Sequence, residues 1–81
     1  MKLRITGSFA QACMKTEWFP KEIKRWNPAE EGVVDYEATL LGLESITLWV
    51  MRALDCIDVL KPRELRDEID RRIKAYLDRR G

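Results

Sequence analysis

Tyr36 to Leu60 runs YEATLLGLESITLWVMRALDCIDVL, and the reading of this stretch decides the expected fold. Tyr36, Leu40, Leu43, Thr47, Val50, Leu54 and Ile57 follow a four-three spacing, the seam of a coiled-coil-type helix. Ile46, Trp49, Ala53, Cys56 and Leu60 widen that seam to more than half the circumference. The spacing predicts one helix of roughly 37 Å at 1.5 Å per residue, with Asp35 as N-cap and Glu37 near its positive end. Gly42 inside it would cost about 1 kcal/mol relative to alanine, which suggests close approach by a neighbouring helix.

The flanking segments add shorter elements. Lys2 to Thr6 alternates, Leu3 and Ile5 opposing Lys2, Arg4 and Thr6, which fits a short N-terminal strand or an extended arm. No other segment offers it an evident pairing partner. Ser8-Phe9-Ala10-Gln11 has the form of a capping box, predicting a helix from Phe9 to Glu17. Pro20 suits the first turn of another short helix carrying Ile23 and Trp26 on one face, and Asn27-Pro28 would end it. Pro62 opens a final helix to about Arg80, where Leu65, Ile69, Ile73, Tyr76 and Leu77 form a narrow stripe. Its acid-first pairs, Asp67 with Arg71, Glu68 with Arg72 and Asp70 with Lys74, would support it. The expected fold is therefore mainly α: a single domain over residues 1–81, a small bundle of three to four helices around a long central one. Trp26, and at least one of Trp18 and Phe19, should be buried.

A chain of 81 residues buries only about 60 to 65% of its unfolded surface, too little to hide a helix apolar nearly all round. On the helical wheel Leu41, Leu48, Met51 and Val59 fall opposite the main seam, among Glu44, Arg52, Asp55 and Asp58. Large apolar side chains rimmed by charge have the composition of a partner-binding patch. Burying three or four of them would contribute roughly 5 to 10 kcal/mol, against an association cost of about 4 to 15. The same patch used twice across a two-fold axis is the economical arrangement, so a homodimer is expected.

Chemistry is sparse. Histidine is absent and Cys13 and Cys56 form no CxxC pair, which leaves no thiol–imidazole or Cys/His zinc site. There is no phosphate-binding glycine loop and no serine elbow, and Asp55 with Asp58 alone makes no metal site. No catalytic residue, no cofactor and no metal is expected. The N-terminus lacks a signal-peptide core, and Glu44, Arg52, Asp55 and Asp58 interrupt the longest apolar run too often for a membrane span. A cytoplasmic protein with reduced thiols follows.

The net charge of +1 conceals a division along the chain. Residues 1–27 carry six Lys/Arg against two acids, residues 28–60 one against seven, and residues 61–81 eight against five. An acidic middle between basic ends suggests attraction between segments, and lacks the large basic excess of a nucleic-acid binder. The functional expectation is a non-enzymatic domain that binds and modulates or inhibits a larger protein. As a type, it resembles the small accessory proteins of phages and mobile elements. The alternative is nucleic-acid binding through Lys15, Trp18, Lys21, Lys24 and Arg25, where cations alternate with rings, joined by Arg71, Arg72, Arg79 and Arg80.

Overall fold

A computed structural model describes residues 1–40 and 42–81. The chain forms β1 (Lys2–Ile5), α1 (Gly7–Lys15), β2 (Ile23–Trp26), β3 (Val34–Glu37), α2 (Leu43–Met51), β4 (Ile57–Lys61) and α3 (Arg63–Arg80). The strands make one antiparallel sheet in the order β2-β3-β1-β4. This βαββαβ path, in which β3 slips between β1 and β2, is the split βαβ, or ferredoxin-like, arrangement, here followed by an additional helix.

The expected helical bundle is thus corrected to a mixed fold of three helices on a four-stranded sheet. The long central helix does not exist. Residues 36–60 are divided among the end of β3, the nine residues of α2 and most of β4. The physical reason lies in two short alternations that a helical wheel averages away. Val34, Tyr36 and Ala38 are buried while Asp35 and Glu37 are not, and Ile57 is buried beside an exposed Asp58. A period of two marks a strand with one covered face. Between the alternations α2 closes in a turn: the amides of Arg52, Ala53 and Cys56 donate to the carbonyls of Trp49, Val50 and Ala53.

Neighbouring expectations change accordingly. Asp35 lies within β3 instead of capping a helix, and Gly42 precedes α2 with open space where its Cβ would be. The segment after Pro20 is strand β2, not a helix. The Ser8 capping box does not form, because the helix starts earlier: α1 begins at Gly7, whose φ of +67° suits glycine, with Thr6 at the N-cap position but making no side-chain cap bond. β1 finds its partners within the chain, β3 on one side and β4 on the other. The final helix is present as expected, entered through Pro62. Glu68 receives hydrogen bonds from both Arg71 and Arg72, whereas Asp67 pairs with Arg63.

All three helices lie on one side of the sheet. Leu3, Ile5, Val34, Tyr36 and Ile57 from the strands pack with Ala10 and Cys13 of α1, Ile46 and Val50 of α2, and Leu65 and Ile69 of α3. Trp26, expected inside, is 42% exposed at the end of edge strand β2, while Trp18 and Phe19 are half-buried. The stripe of α3 is buried only in its first half. Tyr76 and Leu77 are half exposed where the helix runs on beyond the core.

Candidate protein-interaction face

Among the described residues, no helix covers the other side of the sheet. Its outward positions follow from the strand registers. One row across the sheet is Arg25 of β2, Asp35 of β3, Arg4 of β1 and Asp58 of β4, each directly opposite the next. The adjoining row is Ile23, Glu37 and Lys2. Lys61 stands opposite Lys2 in this row, and Leu60 lies beside it as the extra residue of a bulge, because the register of β1 with β4 shifts between Lys2 and Leu3. Lys2, Arg4, Ile23, Arg25, Asp35, Glu37 and Leu60 line a shallow cavity of ≈ 470 Å³ over this face.

Four cations, Lys2, Arg4, Arg25 and Lys61, and three carboxylates, Asp35, Glu37 and Asp58, therefore share the open face, with signs alternating across the first row. Within the chain this neutralisation is loose. Arg4 Nε lies 3.8 Å from Asp35 Oδ1, longer than a hydrogen bond, and has no acceptor although the atom itself is enclosed. Asp35 accepts a bond from the Asn27 amide as well. Ile23 and Leu60, at opposite edges, are 63% and 46% exposed.

A different polar group lies beneath the helices. The Glu22 side chain is only 4% exposed. It accepts hydrogen bonds from the Tyr36 hydroxyl, from Lys24 Nζ at 2.7 Å, and from the amides of Trp18 and Phe19 at 3.3 Å. Burial alone would raise its pKa, but the bonds from Lys24, Tyr36 and the two amides outweigh it and hold the carboxyl below its usual value. The Tyr36 hydroxyl is pushed well up, by burial first and by its bond to Glu22 second. Burial also raises the Cys13 thiol to about 11, against the opposing effect of Lys24. A thiol so placed is a poor nucleophile. Phe9, Trp18, Phe19, Tyr36 and Trp49 stack around this group with ring centroids 4.9 to 6.5 Å apart. The cluster is satisfied and packed, so its work is structural.

The residues singled out in the sequence are dispersed. Leu41 lies outside the described residues. Glu44 and Leu48 share the outer side of α2, where Leu48 is 52% exposed and Glu44 bonds Arg72 of α3. Met51 and Val59 are half-buried against the core. Arg52 and Asp55 are exposed in the turn after α2, and Asp58 belongs to the row opposite the helices. Of the basic-aromatic set, Lys24 is held by Glu22 and the carbonyls of Cys13 and Thr16, and Trp18 stacks in the aromatic cluster. Lys15 ends α1, Lys21 occupies a turn at φ +56°, and Arg25 faces the open side. Arg71 and Arg72 are tied to acids, while Arg79 and Arg80 lie over the Tyr76 ring.

Lys2, Arg4, Ile23, Asp35, Glu37 and Leu60 were not among the sequence candidates. The signal that could have found most of them is the alternation of Val34 to Ala38, which pairs naturally with that of Lys2 to Thr6. Leu60 had no such signal, since its place depends on the bulge. Among the described residues, no group of three or more Cys, Asp or Glu is placed to hold a metal ion, and no helix is long and apolar enough to cross a membrane.

Fold and face together define a small two-layer domain of split βαβ type with one uncovered, charge-patterned sheet. The chain matches the WCX domain model over residues 1–77 and belongs to that family. No curated protein and no solved structure matches it.

Proposed function

We propose that this WCX domain is a non-catalytic protein-interaction domain of the cytosol that docks protein on the open face of its sheet. The observation that carries the reading is the uncovered face itself, where cations and carboxylates alternate across a row of four strands, with Ile23 and Leu60 at the margins. Fixed charges of both signs at strand spacing, 4.7 to 4.9 Å, complement another patterned protein surface and give it register. A polyanion asks instead for a large basic excess, whereas this face carries four cations against three carboxylates. The satisfied Glu22 group and the raised Cys13 thiol support a role without catalysis. The narrower expectation of a phage or mobile-element inhibitor gains no support from the family or the fold.

Photo-cross-linking tests the reading. A benzophenone side chain at Ile23, with a control at Glu64 on α3, is irradiated in an extract of the source organism. Adducts at Ile23 that are destroyed by protease and resist nuclease are expected. Nuclease-sensitive adducts, or none beyond those at Glu64, would refute the reading.

A further inference from the structure

We infer that the outer edge of β4 is a second docking site, separate from the open face, which takes an extended peptide segment alternating aliphatic and basic residues and adds it to the sheet as a further antiparallel strand. The Thr6 amide donates to the Cys56 carbonyl at 2.8 Å, which makes these two residues a hydrogen-bonded pair of the β1–β4 ladder. Bonded and non-bonded pairs alternate along an antiparallel ladder. Arg4 and Asp58 therefore bond each other, whereas the pairs Ile5–Ile57 and Leu3–Val59 do not. In those pairs the β4 residue turns its amide and carbonyl away from β1, toward the edge. Among the described residues, no other group bonds these amides and carbonyls.

The side chains of Ile57 and Val59 lie on the helix side of the sheet, opposite Ile5 and Leu3. There the edge borders a groove. Leu54, Ile57 and Val59, with Ile69 and Ile73 of α3, line a cavity of ≈ 230 Å³, and Leu54 is exposed while Val59 and Ile73 are half-buried. Residues opposite each other on paired strands share a face. A strand bonded to Ile57 and Val59 thus sends every second side chain into this groove, where aliphatic groups cover the apolar surface.

The intervening side chains emerge on the open side, next to Asp58. Signs across that row run positive, negative, positive, negative from Arg25 through Asp35 and Arg4 to Asp58, and a cation on the added strand continues the order. β1 shows what β4 accepts as a neighbour, since on the inner edge it turns Leu3 and Ile5 toward the helices and sets Arg4 beside Asp58. Two carboxylates, Asp58 and Asp70, border the groove against one cation, Arg66. Among the described residues, neither acid enters an ion pair. A bare strand edge invites indiscriminate pairing; here the carboxylates select a cationic strand. Main-chain bonds supply the affinity and the groove and charges supply the choice, as in other strand additions.

The test is fluorescence anisotropy of a short labelled peptide alternating valine and lysine, used unmodified, N-methylated at valine amides, or N-methylated at as many lysine amides. In antiparallel pairing the residues opposite Ile57 and Val59 are the groove-facing valines, so the valine amides make the bonds. Methylating them weakens binding about tenfold or more, whereas methylating the lysine amides leaves it within about threefold of the unmodified peptide. Any other ranking of the three overturns the inference, as does an unmodified peptide that fails to bind at about 1 mM, a very weak affinity. Charge is read with a valine–glutamate peptide, which the wild-type chain binds about tenfold more weakly than the lysine one. Asp58→Lys removes that preference, and Glu64→Lys, an equal change of net charge on a side of α3 away from the groove, keeps it. Equal binding of the two peptides by the wild type, or equal effects of the two substitutions, overturns the inference as well. Circular dichroism verifies folding; should Asp58→Lys unfold, the methylated peptides decide with the wild-type chain alone.

Discussion

The two faces of the sheet are made by the same four strands, yet they obey opposite rules. Leu3, Ile5, Val34, Tyr36 and Ile57 face the helices and are almost wholly excluded from water. One residue along, Lys2, Arg4, Asp35, Glu37 and Asp58 look outward and keep their charges hydrated or loosely paired. Even polar groups differ by side. Beneath the helices Glu22 has a bond for each of its demands, whereas on the open face Arg4 Nε has none. A covered face must satisfy every polar atom within the chain. An open one can leave its pattern for a partner to complete.

Substitutions that move along a strand should expose this contrast most strongly. Ile5→Ala removes a fully buried side chain from between α1, β3 and β4 and should cost about 2 to 5 kcal/mol in urea denaturation. A loss under about 1 kcal/mol would mean that the covered face is not close-packed.

Glu22→Ala is the next largest break, expected at about 1 to 3 kcal/mol, because Tyr36 and Lys24 lose their acceptor while still enclosed. Its pH dependence sharpens the point. The folded pKa of Glu22 lies below its ordinary value of 4.5, so its contribution is fully present above that pH and is lost as pH falls through the folded value. The stability difference between wild type and Glu22→Ala should be flat from neutral pH to about 5 and narrow below it. A difference that grows on acidification would reverse the assigned shift.

Gly7→Ala should cost about 1 kcal/mol, from the positive φ; its Cβ would also come 3.4 Å from Cys56 Sγ. Smallest of all, Ile23→Ala on the open face should alter monomer stability by no more than about 0.5 kcal/mol, in contrast to Ile5 on the covered one. If Ile23→Ala proved as costly as Ile5→Ala, the two faces would not be different environments.

The legible parts of the sequence were those with one uninterrupted period. α3 was readable because eighteen residues keep a helical stripe and a proline stands at its entrance. Lys2 to Ile5 was readable as extended from its alternation, although not its partners. Residues 36–60 misled because each alternation is only four or five residues long and apolar residues of three elements also satisfy a four-three spacing. Short apolar runs do not distinguish helix from strand by period alone. The candidate site suffered from the same error. A patch drawn on one helical wheel came apart when its residues were distributed over α2, a turn and β4.

The chain by itself determined the apolar and charged positions of each short segment, the absence of histidine, and the course of the last helix, since these are local properties of side chains and their spacing. Which strands lie side by side, and therefore which charges stand in a row, was decided only in three dimensions. Arg25, Asp35, Arg4 and Asp58 come from four separate strands, with Arg4 and Asp58 standing 54 positions apart. Their alternation exists nowhere along the chain. It arises because backbone hydrogen bonding sets the register between strands, and the burial of Leu3, Ile5, Val34, Tyr36 and Ile57 permits only one face of that register to turn inward.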